Sequence, residues 1–130
     1  MPIEHIHLSQ QAKDQLVKIK RWTGIQNWNT LCRWAFCLSL RESGVPPPAK
    51  IPADSSVEMS WRVFGGQYAD IYLVLLKERC RRDGLGTTDE VLSAQFRLHL
   101  HRGIGYLAAE KDIRNTAALL KRLPTGAPGN

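Results

Sequence analysis

The chain has 130 residues, 43% of them hydrophobic and 23% charged, the balance of one soluble globular domain rather than a disordered or multi-domain protein. Eighteen Lys and Arg against twelve Asp and Glu leave a net charge of +6, which favours a polyanionic partner, nucleic acid or an acidic surface. Apolar runs such as 71–76 are too short to span a bilayer, no basic-then-apolar leader opens the chain, and Cys32, Cys37 and Cys80 form no CxxC; secreted and membrane-spanning readings are set aside for a cytoplasmic protein with reduced thiols.

Residues 3–8, Ile-Glu-His-Ile-His-Leu, predict a strand ending at Ser9. With Ile6 and Leu8 inward, alternation sets Ile3, His5 and His7 on the opposite face. Ser9 is a good N-cap for a helix whose apolar stripe is Leu8, Ala12, Leu16 and Ile19, with Lys13, Lys18, Lys20 and Arg21 on the other face. Gly24 is placed to stop it and Ile25 to fold back. A second helix is expected from Asn27 or Asn29 to about Arg41, with Trp28, Leu31, Ala35 and Leu38 as its stripe, widened by Cys32 and Phe36. Between Ser9 and Arg41 six basic residues face one acid, Asp14, so positive charge concentrates in this unit.

Residues 45–56, with three consecutive prolines, predict an extended connector. Val57, Met59, Trp61 and Val63 alternate with Glu58, Ser60 and Arg62, predicting a strand over 57–63 that ends at Gly65-Gly66. A buried helix with a basic tail is expected over Gln67–Arg82, and Gly84-Leu85-Gly86 breaks it. Thr87 and Glu90 form a capping box for a helix through Val91, Leu92, Phe96 and Leu100, expected to bend at Gly103-Ile104-Gly105. A short helix over about 112–122 and a disordered tail, 124–130, complete the reading. The organisation expected is a basic unit over 1–44, the connector over 45–56 and a strand with helices over 57–123 packed on the first unit.

The order strand, helix, glycine turn, helix in the first 41 residues resembles a ribbon-helix-helix unit. A lone strand needs a partner for its backbone donors and acceptors. In ribbon-helix-helix proteins two chains pair their strands and present them to the DNA major groove. Here the outward set would be His5, His7 and Ile3, a poor one beside the Arg, Lys, Asn and Gln that usually read bases. The strand over 57–63 is the alternative partner, and it would keep such a ribbon out of a groove.

Three segments carry a fuller likeness, covering the chain to about residue 122. They are Leu8-Ser-Gln-Gln-Ala-Lys-Asp-Gln-Leu-Val-Lys-Ile-Lys-Arg-Trp-Thr-Gly-Ile, Trp28-Asn-Thr-Leu-Cys-Arg-Trp-Ala-Phe-Cys-Leu-Ser-Leu and Val57-Glu-Met-Ser-Trp-Arg-Val-Phe-Gly-Gly. On these the chain is similar to the DndE family of bacterial DNA phosphorothioation systems. The resemblance implies a mainly α (α+β) fold, with a ribbon-helix-helix-like N-terminal unit, two short strands and additional C-terminal helices. It also implies a homotetramer that binds double-stranded DNA, favouring nicked duplex, beside the other subunits of the sulfur-modification complex. It carries over no catalytic residue.

Lys13, Lys18, Lys20 and Arg21, with Arg33, are the candidate DNA-backbone contacts, since each cation that neutralises a phosphate releases a counterion. The competing reading is an ordinary solvated helix face. Lys77, Arg79, Arg81 and Arg82 are a second cluster, equally explained as cations complementing a helix C-terminus. His5 and His7 are two ligands where structural zinc takes four, and His99 and His101 diverge by about 200° on a helix, so no metal and no cofactor is expected. Cys80, between Arg79 and Arg81, is placed where neighbouring positive charge would lower a thiol pKa and permit a sulfur relay, but small buried or idle thiols is the favoured reading for Cys80, Cys32 and Cys37 alike. Trp22, Trp28, Trp34 and Trp61 read as core or subunit interface before base stacking. With no Ser-His-Asp order, paired carboxylates, HExxH or P-loop, the function expected is a non-catalytic DNA-binding subunit. A cysteine-based relay and a scaffold without DNA contact are the alternatives.

Overall fold

The first strand finds its backbone partner within the same chain: β1 (His5–His7) pairs antiparallel with β2 (Glu58–Ser60), setting His5 opposite Ser60, Ile6 opposite Met59 and His7 opposite Glu58. Of the two pairings open to β1, this is the intramolecular one. The computed structural model describes residues 2–109, so the helix expected over 112–122 and the tail 124–130 lie outside the described residues. The helices are α1 (Gln10–Thr23), α2 (Trp28–Arg41), α3 (Trp61–Gly65), α4 (Ala69–Arg82) and α5 (Asp89–Ala109), with a 3-10 turn, Gly66–Tyr68, before α4. The fold is thus mainly helical with a two-stranded antiparallel sheet.

Local chemistry sets most of the boundaries. The Ser9 hydroxyl accepts from the Ala12 N–H and opens α1, and Gly24, at φ 75°, closes it through a bond from its N–H to the Lys20 carbonyl. The second strand is shorter than its alternation predicts. The Ser60 hydroxyl accepts from the Val63 N–H, so the chain turns into α3 at Trp61. Trp61 and Phe64, three residues apart, are buried while Arg62 and Val63 are exposed, a helical division that overrides the period of two. Ile3 also departs from expectation. It precedes β1, strand alternation does not reach it, and it is buried, lining one small cavity with Ile6, Phe96 and Leu100.

The core lies where α5 crosses α1 and α2. Leu16 and Ile19 of α1, Leu31, Ala35 and Phe36 of α2, and Phe96, Leu100 and Ile104 of α5 are buried there. Phe36, Trp61, Phe64 and Phe96 form an aromatic cluster; Phe96 stands 5.0 Å from Phe36 and from Trp61, and 5.1 Å from Phe64, between ring centroids. Each such pair adds about 0.5–1.5 kcal/mol beyond its burial. Helix α5 continues through Gly103-Ile104-Gly105 and runs unbroken from Asp89 to Ala109. Gly103 is where the backbones of α5 and α2 meet: a Cβ there would stand 1.8 Å from the Ala35 carbonyl oxygen.

Helix α4 is not the buried helix its composition suggests. Leu76, Arg79 and Cys80 are buried, but Ile71, Val74 and Leu75 are 55%, 63% and 42% exposed. The segment between α2 and β2 has no regular structure, so its carbonyls need donors from elsewhere. Three arginines supply them while also reaching carbonyls of α2 and β1. Arg79 donates to the carbonyls of Leu40 (2.9 Å), Ser43 (3.3 Å) and Gly44 (2.7 Å). Arg102 reaches Gly44 (2.8 Å) and Ser39 (2.9 Å), and Arg97 holds Ile51 (3.0 Å), Pro52 (2.9 Å) and His7. The fan of five N–H donors on a guanidinium suits this bridging of neighbouring carbonyls.

Candidate nucleic-acid interface

Helix α1 buries Ala12, Leu16 and Ile19 and turns its opposite side to solvent. At about 100° per residue, Lys13 and Lys20 lie on one flank of the buried stripe, two turns apart, while Arg21 and Lys18 lie about 80° and 140° further round, on the outer side. Lys18 and Arg21 are both exposed. Asp14 shares that outer side one turn before Lys18, where its carboxylate accepts from Gln10 Nε2 at 2.9 Å.

The five expected contacts therefore fall into three settings. Lys18 and Arg21 stand outermost. Lys13 donates from Nζ to Ser56 Oγ at 2.7 Å, tying α1 to the connector, and Lys20 Nζ lies 3.4 Å from the centroid of the Trp28 ring, a cation–π contact. Arg33, on α2, donates to the Phe64 carbonyl at 2.9 Å and to Thr30 Oγ1 at 3.3 Å, which holds α3 against α2.

The second basic cluster is divided as well. Arg79 is only 4% exposed and forms an ion pair with Asp83 at 2.8 Å, beneath the connector. Arg81 pairs with Glu78 on the surface, and Arg82 is exposed beside it. Arg41, Lys50 and Arg62 are further exposed cations. They are scattered over α2, the connector and α3, so no run in the sequence marks them.

The other chemistry-bearing residues are engaged in the fold. His7 Nε2 donates to the Ser55 carbonyl at 2.6 Å, while His5 lies exposed, its Nδ1 3.8 Å from Glu58 Oε1. Among the described residues no group of three or more His, Cys, Asp or Glu could hold a metal ion. His101 accepts the Ser9 N–H on Nε2 at 3.2 Å and donates from Nδ1 to the Arg97 carbonyl at 2.9 Å, a pattern that only the neutral ring can make. Burial holds its pKa down to about 4. His99 is fully buried, with Nδ1 2.8 Å from Ser39 Oγ and Nε2 unpartnered; burial first, then the charges of Arg79 and Arg102, push its pKa to about 4.

Cys80 reverses the expectation of a lowered pKa. It is 1% exposed, and burial, followed by the Asp83 carboxylate, raises the thiol pKa against the opposing charge of Arg79. Burial also raises Cys37, and Cys32 to about 12. Trp61 is in the core, donating from Nε1 to the Ala69 carbonyl at 3.2 Å, whereas Trp34 is 40% exposed.

The family described as "DndE: DNA sulphur modification protein DndE" matches residues 5–115. No curated protein matches the chain. Among solved structures it is similar to the crystal structure of DndE from Escherichia coli B7A, involved in DNA phosphorothioation modification. Identity is 25%, over 82% of this chain and 98% of that one, with a TM-score of 0.68. It shares its fold with a double glycine-to-lysine mutant of DndE involved in DNA phosphorothioation, at 23% identity, the same coverage of both chains and a TM-score of 0.63.

Proposed function

The chain belongs to the DndE family of DNA sulphur modification proteins, which takes part in DNA phosphorothioation, and we propose that it serves there as a non-catalytic, DNA-binding homo-oligomer. The observation that carries this reading is the outer side of α1, where Lys18 and Arg21 stand exposed opposite the buried stripe with Asp14 as the one acid on that helix. Cations on the outer side of α1 reach phosphates while the buried stripe stays packed, and they read charge and shape rather than sequence. Lys13 and Lys20 flank them at the edge of the same surface, and Arg33 joins from α2 by releasing its outer guanidinium nitrogen. In a homotetramer of +6 protomers the net charge reaches +24, so a continuous basic surface across copies is favoured.

Nicked duplex suits such a surface because a broken strand bends at low elastic cost and lets more phosphates approach a rigid protein. The non-catalytic role is supported by the thiols, all with raised pKa, and by His99 and His101, held neutral within the fold. Among the described residues no helix is long and apolar enough to cross a membrane. The protein would act in the cytoplasm, where it would position DNA for the other subunits of the modification complex.

Fluorescence anisotropy across a salt series, with intact, nicked and single-stranded DNA, tests the reading on wild type and on Lys18→Glu/Arg21→Glu. Each lost phosphate contact lowers the slope of log affinity against log salt by about 0.9, so the double variant should lose about 2 per engaged protomer. Nicked duplex should bind tightest. No binding to any form below about 10⁻⁵ M overturns the DNA reading. Unchanged DNA affinity with a lost partner-subunit complex in the variant would make the protein a scaffold instead.

A further inference from the structure

Helix α4 carries an apolar stripe that the described residues leave open. Ile71, Val74 and Leu75 recur at i, i+3 and i+4, and Glu78 and Arg82 continue the same face, within an arc of about 100°. Val63, just before α4 on α3, and Tyr68, in the turn that leads into it, are each 53% exposed, so five large apolar residues lie open within thirteen positions. Monomeric proteins scatter exposed apolar side chains singly, and a concentration of this kind marks an interaction surface. The buried side of the same helix is occupied by Leu76, Arg79 and Cys80, so the stripe cannot be satisfied by rotating α4 in place.

We propose that this face pairs with the same face of a second copy, the two α4 helices running antiparallel about a two-fold axis near Val74 and Leu75. The inference rests on the self-association proposed above and names the surface that performs it. What selects a second copy is the charge pattern on the flank of the stripe. Asp70 and Arg81 are eleven residues apart, which on a helix brings them to within about 20° of each other around the axis. A two-fold axis between Val74 and Leu75 keeps that flank on one side of the pair and sets Asp70 of each copy about 3 Å along the axis from Arg81 of the other. Asp70 then joins Glu78, which already pairs with Arg81 within one chain. The helix dipoles favour the same arrangement, since each N-terminus meets a C-terminus. A parallel two-fold pair would carry the two flanks to opposite sides, and Asp70 of one copy would not meet Arg81 of the other. An isologous contact of this kind is the building step of a closed, even-numbered assembly.

The test is sedimentation equilibrium on the full chain, with circular dichroism to verify that each surface variant is folded. Val74→Glu places two carboxylates across the axis in an apolar contact and should weaken association at least about 100-fold, reducing the assembly to half its size. Val74→Cys should form a covalent dimer under mild oxidation, while Val45→Cys, exposed on the connector, should not. Asp70→Arg and Arg81→Asp should each weaken association, and the double variant should restore it. If the wild type associates and Val74→Glu and Val74→Cys behave like it and like the Val45 control, the α4 face is refuted while self-association stands. A wild type that stays monomeric at about 10⁻⁴ M refutes both, and DNA binding is read separately by anisotropy.

Discussion

Gly103→Ala is the substitution whose cost can be worked most directly from the structure. An added Cβ would stand 1.8 Å from the Ala35 carbonyl oxygen, 2.5 Å from its carbon and 3.1 Å from its Cα. Ordinary contact begins at 3.4 Å, so α5 would have to withdraw from α2 by about 1.6 Å. The obstacle is backbone, which has no rotamer to escape into. The movement would loosen Leu31, Ala35, Phe36 and Ser39 of α2 against Phe96, His99, Leu100 and Ile104 of α5, all of them buried. Overpacking of this kind costs about 1–3 kcal/mol and occasionally more, while replacing Gly by Ala within a helix returns about 1 kcal/mol. A contact between two backbones belongs at the upper end, so a net loss of about 2 kcal/mol is expected. Gly105 lies two residues on in the same helix with nothing within 4 Å of its would-be Cβ, so Gly105→Ala should gain up to about 1 kcal/mol. Urea unfolding of the pair at one protein concentration supplies the comparison. A Gly103→Ala protein as stable as wild type would refute the close helix crossing.

Stability should also depend on pH through two histidines, His99, which is buried, and His101, which is half-buried. Their folded pKa of about 4 lies below the ordinary 6.5, so the unfolded chain binds more protons between those values. Their contribution is complete above pH 6.5 and is lost as pH falls toward 4. It amounts to a few kcal/mol, since each tenfold change in proton affinity is worth about 1.4 kcal/mol. His99→Asn/His101→Gln should flatten that acid limb in a series of urea melts, and a limb as steep as wild type would contradict the assignment. Arg79→Met leaves the Leu40 and Ser43 carbonyls and the Asp83 carboxylate without this donor, and leaves Gly44 to Arg102. It should cost about 3 kcal/mol or more in unfolding experiments yet leave the salt slope of DNA binding where it was; a flattened slope would return Arg79 to the phosphate contacts. Iodoacetamide at neutral pH should label Cys37 slowly and leave Cys32 and Cys80 intact until the protein unfolds, and rapid labelling of Cys80 in the folded state would revive a sulfur relay.

Much of this molecule could be read from the chain alone, because its signals are local. Ser9 and Gly24 bound α1 through their own backbone and side-chain geometry, and the stripe Ala12, Leu16 and Ile19 is buried as its spacing requires. The segments that place the chain in its family are likewise a property of sequence. What the chain could not show depends on neighbours far away in sequence. The strand pattern of 57–63 gives way at Trp61 because Trp61 and Phe64 both pack on Phe96, more than thirty residues on. Gly103 looks like a helix breaker until α2 is laid against it. Arg79 looks like a surface cation until the connector folds over it. The uncovered stripe of α4 has the composition of a buried helix, and only the packing shows that its Ile71, Val74 and Leu75 face outward. Caps and periodicity act over a few residues and are written where they act. Burial, charge pairing and close backbone approach are sums over distant partners, and only the folded chain brings those together.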